Sequence, residues 1–141
     1  MFLEEIFPTP IWGFDLNMDV DSIKYWCYSC MKENPGRVIS NVGGWQSEDY
    51  REFGNTPLTE LVLYIVRESH NIANDIGIPK GDRWIENLWL NINPKYSYNQ
   101  VHVHPEARLS GVFYVSAPEN SGDICFTRSG GYALGTAAPN S

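Results

Sequence analysis

The chain changes its hydrophobic period once, near Arg83, and that change restricts the fold more than any other feature. Up to Ile76 apolar residues recur at three- and four-residue spacing, whereas from Trp84 onward they alternate. A helix returns to the same face every 3.6 residues and a strand every second residue, so the two halves cannot exchange roles. Helices followed by a run of strands predict an α+β fold with helices packed on an antiparallel β-sandwich.

Phe7-Pro8-Thr9-Pro10-Ile11-Trp12 is predicted to be extended, because alternating prolines exclude a helix. A helix follows over Asp19 to Glu33. Asp19 or Asp21 can cap it, Val20, Ile23, Cys27 and Cys30 line one side, and Asn34-Pro35-Gly36 ends it. Asn41 to Ser47 reads as a glycine turn folded against the body. The clearest helix spans Pro57 to Ile76, with Thr56 as N-cap, Pro57 in the first position and Gly77 with Pro79 as the stop. Leu58, Leu61, Val62, Ile65, Ile72 and Ile76 form its stripe, and His70 falls off it as an ordinary surface or boundary histidine.

Trp84 to Asn93 places Leu88, Leu90 and Ile92 on one face and Asn87, Trp89, Asn91 and Asn93 on the other. The asparagine and tryptophan face suits the wall of a polar pocket, with an exposed solvent face as the alternative. Tyr98 to His104, Leu109 to Ser116 and Asp123 to Arg128 read as three more strands, the last two joined by a turn over Pro118 to Gly122. Short connections predict an antiparallel meander. The domain is expected over residues 1–128, followed by a flexible Gly/Ser/Ala-rich tail over 129–141.

His102-Val103-His104 contains two of the three histidines. Two strand steps of roughly 3.3 Å set their imidazoles side by side, near enough to share a metal at about 2.0–2.1 Å from each nitrogen. Pro105 biases His104 toward extended geometry and ends the ladder. The alternative is a pair of histidines facing solvent on an edge strand.

Composition narrows the function classes. At 141 residues and 43% hydrophobic content, the chain can bury a core. A net charge of −7 repels nucleic acid, and no Lys/Arg run offsets it. No apolar stretch approaches the roughly 20 residues of a membrane-spanning helix. Glu4 and Glu5 occupy the place where a secretory signal needs basic residues, so a cytoplasmic location is expected. Cys27 and Cys30 form a C-x-x-C, but both fall on the apolar side of a helix and a second pair is lacking, so buried thiols are expected rather than a zinc or redox site.

Several motifs in order resemble a known family. These are Phe7 to Trp12, Gly43-Gly44-Trp45-Gln46-Ser47, Trp89 with Asn91, His102-Val103-His104-Pro105 and Leu109 to Val115. Together they resemble the 2-oxoglutarate- and Fe(II)-dependent oxygenases of bacteria and marine phages, a prolyl 4-hydroxylase-like group. The resemblance runs from near the N-terminus to about Arg128. It implies a double-stranded β-helix, or jelly roll, Fe(II) as cofactor and 2-oxoglutarate as cosubstrate. It places His102 at the first metal ligand and His104 where the superfamily usually has Asp or Glu. Tyr114 falls where related hydroxylases hydrogen-bond the 2-oxoglutarate tail, with a core tyrosine as the alternative; Asn91, Asn93 and Trp89 are further candidates for cosubstrate binding.

The sequence also departs from the family. It has no histidine after His104, and beyond Tyr114 its only basic residue is Arg128, where a distal iron ligand and a carboxylate-gripping cation are expected. Glu106 is a candidate third ligand, although Pro105 is expected to break the strand first. About four of the eight jelly-roll strands are recognisable, so the late strands are expected to be missing and the chain to be a fragment with impaired activity; a diverged form without the iron centre is the alternative. The expected partner is a small-molecule or peptide substrate, and exposed strand edges favour a homodimer. A cupin-type metal protein and a non-catalytic β-sandwich binding module remain competing readings.

Overall fold

The computed structural model describes residues 9–79, 85–105 and 107–127, and the backbone of residues 133–137. Helix α1 spans Val20–Glu33 and starts on a side-chain cap: the Asp19 carboxylate accepts from Ser22 N at 3.1 Å and from Ser22 Oγ at 2.5 Å. This satisfies one of the first-turn N–H groups that a helix cannot pair internally. Ile23 and Cys27 are buried on its inner side, while Val20 and Cys30 are partly buried. Burial pushes the Cys27 thiol up to about 11, as expected of a packing residue, whereas Cys125 is exposed.

Helix α2 spans Thr59–Asp75, two residues shorter at its start than the proline signal predicts. Pro57 and Leu58 lie in a preceding turn, where Leu58 N donates to Thr56 Oγ1 at 3.3 Å and Thr59 N to the Thr56 carbonyl at 3.0 Å. Thr56 therefore caps the turn that launches the helix rather than the helix itself. At the other end Ile78 N reaches the Ala73 carbonyl at 2.8 Å and Gly77 N the Asn74 carbonyl at 3.4 Å. Gly77 sits at φ +70°, completing the αL cap that glycine accommodates. Ile76, expected on the buried stripe, is turned out by this cap, and Ala73 is buried instead.

The predicted meander is not the pairing observed. Strand β1 (Asn41–Val42) pairs with β4 (Tyr98–Asn99), and β2 (Trp45–Gln46) pairs with β3 (Asn91–Ile92), both antiparallel. A Tyr50–Leu88 bridge extends this pairing at one end, and Gln100 N donating to the Ser40 carbonyl at 2.7 Å extends it at the other. The 88–100 stretch thus lies against the glycine turn region, not against its neighbours in sequence. A third antiparallel pair joins β5 (Ile124–Thr127) to β6 (Ala133–Ala137), which carries β structure past residue 128 and into the stretch read as a tail. Residues 100–105 and 109–116 form no ladder, because no described strand lies alongside them to take their hydrogen bonds. Their alternation persists all the same: Phe113 and Val115 pack on the core while Val112 and Tyr114 are exposed.

The core lies between the two helices and the inner face of the 45–50 and 88–92 pairing. Ile23, Cys27, Leu58, Leu61, Val62 and Leu90 are its buried residues, with Trp45, Tyr50, Leu88 and Ile92 packed around them. The predicted division of the 84–93 stretch is therefore realised over its described part: leucines and Ile92 face inward, and Asn87, Asn91 and Asn93 are exposed. No described helix is long and apolar enough to cross a membrane.

Candidate metal centre

Residues 88–90 form the rigid floor of the site. Leu88 exchanges both backbone hydrogen bonds with Tyr50, at 2.7 and 3.1 Å, and Leu90 receives Ser47 N at 3.0 Å while donating to Ser47 Oγ at 2.9 Å. Trp89 lies between these clamped neighbours, on the face opposite the core. Its indole stacks on the His104 imidazole, with ring centroids 5.4 Å apart and planes 25° from parallel. His104 in turn lies beside His102, with centroids 5.0 Å apart and an interplanar angle of 34°. The predicted side-by-side imidazoles are present, although no strand ladder holds them.

Local hydrogen bonds orient each ring. His102 Nδ1 donates to the Gln100 carbonyl at 2.7 Å. A carbonyl only accepts, so Nδ1 carries the hydrogen and, in the neutral ring, Nε2 keeps its lone pair for a metal. His104 Nδ1 lies 3.3 Å from Ser110 Oγ. Burial, and then the neighbouring His102, hold the His104 pKa below the ordinary histidine value, so its neutral, ligating form is favoured near neutral pH.

A polar network ties this region to the β1–β2 turn. Asn93 Nδ2 donates to Asn99 Oδ1 at 2.9 Å, and Asn99 Nδ2 donates to Ser40 Oγ at 3.2 Å. Buried Asn41 donates to the carbonyls of Arg37 at 3.1 Å and Gly44 at 2.9 Å. A Cβ at Gly44 would push the Asn93 amide out of this network and crowd the Ile92 carbonyl. On the same polar face, Gln46 stands opposite Asn91 and is buried, and the Arg37 guanidinium pairs with Asp49, which also accepts from Asn87 at 3.3 Å. Asn87 and Asn93 are thus occupied within the protein. The hydrogen bonds of His102 and His104 go to Gln100 and Ser110, not to Asn91 or Tyr114. Tyr114 is exposed, and desolvation of the buried part of its side chain raises the phenol pKa, keeping it protonated.

Two imidazoles side by side suit Fe(II) as part of a three-ligand set. No group of three His, Cys, Asp or Glu gathers among the described residues, and the candidate Glu106 lies outside them, as do Trp84 and Arg128. Sequence reasoning missed Ser110, whose hydroxyl looked like part of a strand. It also missed Gln100, whose backbone carbonyl leaves no side-chain signal.

Residues 87–140 match the model of a family described as Putative 2OG-Fe(II) oxygenase. The matched segment includes Trp89, both histidines, Ser110 and Tyr114. No curated protein and no solved structure matches the chain.

Proposed function

We propose that the chain is a 2-oxoglutarate- and Fe(II)-dependent oxygenase acting on a small-molecule or peptide substrate, in the bacterial and phage branch it resembles, on a jelly-roll frame. The observation that carries the reading is the pair of adjacent imidazoles, with His102 Nε2 left free by the Gln100 contact, inside the segment similar to that family. His102 and His104 would hold the iron. Bound there, iron would activate O₂ so that oxidative decarboxylation of 2-oxoglutarate is coupled to hydroxylation of a substrate C–H. Tyr114, kept protonated, is the chain's candidate donor to the cosubstrate carboxylate. Trp89, stacked on His104, and Asn91, two residues along on the same face, are the further candidates for the cosubstrate side.

An imidazole in the place of a carboxylate leaves more positive charge on the metal, and two protein donors hold it weakly. The test is anaerobic Fe(II) titration of the purified chain beside an assay for succinate. Weak binding that His102→Ala and His104→Ala abolish is expected, with slow 2-oxoglutarate turnover. Iron binding unchanged in both variants would defeat the assignment. Succinate formation that continues undiminished in His102→Ala would do the same.

A further inference from the structure

We infer that Trp89 is a positioning residue for His104, with its indole acting as the wall that aims this imidazole at the metal; the inference rests on the iron reading above. A histidine in a paired strand has its direction set by the ladder. His104 lacks that support: beyond the Gln100–Ser40 bond, residues 101–105 have no described ladder, and the Ala107 N to His104 carbonyl contact closes only a turn at 3.3 Å. Its ring must therefore be fixed by what touches it. Besides the neighbouring His102 ring, two described groups do so, the Ser110 hydroxyl at 3.3 Å and the Trp89 indole stacked at a centroid distance of 5.4 Å.

Of the two, Trp89 is the stiffer support. Its backbone is clamped on both sides by the Leu88–Tyr50 and Leu90–Ser47 bonds, and its flanking side chains are packed against the core. An indole has only two side-chain torsions, so a clamped backbone leaves a nearly fixed ring face. Ser110 lies in the unladdered 109–116 segment and is exposed. The stack also favours the loaded state, because an imidazole polarised by a cation gains attraction to an aromatic face. Trp89 thus reaches the metal through His104, a role its stacking contact carries.

The test uses the full chain with Co(II) as the probe metal, in wild type, Trp89→Ala, Trp89→Leu and Trp89→Phe. Partners that orient metal ligands are worth about 10–100-fold in affinity, so Trp89→Ala and Trp89→Leu should weaken Co(II) by about tenfold or more while Trp89→Phe, which keeps a ring, stays within about threefold. Co(II) should quench tryptophan fluorescence in wild type, and Trp89→Phe should remove most of that quench while still binding the metal. Without metal, the His104 ring protons should carry an upfield ring-current shift in NMR spectra, retained in part by Trp89→Phe and lost in Trp89→Leu. Thermal unfolding of each apo variant identifies any that fail to fold, and Trp89→Leu, which keeps the apolar bulk, covers that case for Trp89→Ala. Binding that His102→Ala abolishes but Trp89→Leu leaves at wild-type strength would overturn this inference alone. Absence of any His102-dependent Co(II) binding would overturn it together with the iron reading.

Discussion

Asn99 accepts from Asn93 and donates to Ser40, so a single amide joins the 91–100 stretch to the residue before β1 that also holds Gln100, and hence His102. Asn99→Ala removes both bonds and leaves the buried Ser40 hydroxyl without this partner. A loss of about 1–2 kcal/mol is expected, read by urea denaturation. His102-dependent metal binding should weaken with it; unchanged stability would show the network to be idle. Asp49 gives the pH dependence at this scale. The hydrogen bond from Arg37 holds its carboxyl below the ordinary 3.8, against the opposing effect of burial. A carboxyl with a depressed folded pKa stabilises the fold above its unfolded value and loses that contribution as pH falls through the folded one. Stability should therefore drop below about pH 4, and Asp49→Asn should flatten that part of the curve in pH-dependent thermal melts. An identical curve for Asp49→Asn would place the acid sensitivity elsewhere.

The helices were legible because their signals are local. Asp19 and the Ile23–Cys27 spacing predicted α1, and the Gly77-Ile78-Pro79 stop placed the end of α2. The error at Pro57 is also local in cause: proline suits a first helical position and a turn equally well, and the Thr56 and Thr59 hydrogen bonds chose the turn. Ile23, buried to 2% exposure between the helices, should cost about 2–5 kcal/mol as Ile23→Ala. The caps offer a sharper comparison. Gly77 and Gly54 both face open space, but only Gly77 has positive φ, at +70°. Gly77→Ala should destabilise by about 1 kcal/mol while Gly54→Ala is neutral or slightly stabilising, measured side by side by chemical denaturation. Equal effects would mean that the C-terminal cap of α2 contributes no specific strain.

At the scale of the whole molecule, the short sheets leave apolar side chains uncovered. Val38, Val101 and Val103 are 82%, 78% and 79% exposed, on the segments flanking the β1–β4 pair. Unpaired backbone next to exposed valine favours pairing with a second copy. We expect light scattering to detect concentration-dependent dimerisation that Val38→Lys with Val101→Lys suppresses. A strictly monomeric wild type at high concentration would refute this.

By itself, the sequence determined where the two helices lie to within a residue or two, which face of the 85–93 stretch turns inward, and that His102 and His104 share a side. Each follows from the period of apolar residues or from spacing within a few positions, and such information is carried by neighbours along the chain. Only the tertiary structure decided what those elements meet. It paired β3 and β4 with two-residue strands around Gly43-Gly44, far away in sequence and too short for any periodic signal. It occupied Asn93 with Asn99, and it brought Trp89 and Ser110 against His104. Hydrogen bonds and ring contacts between distant segments depend on where the backbone places them, and the pattern of residue types within either segment does not encode that placement.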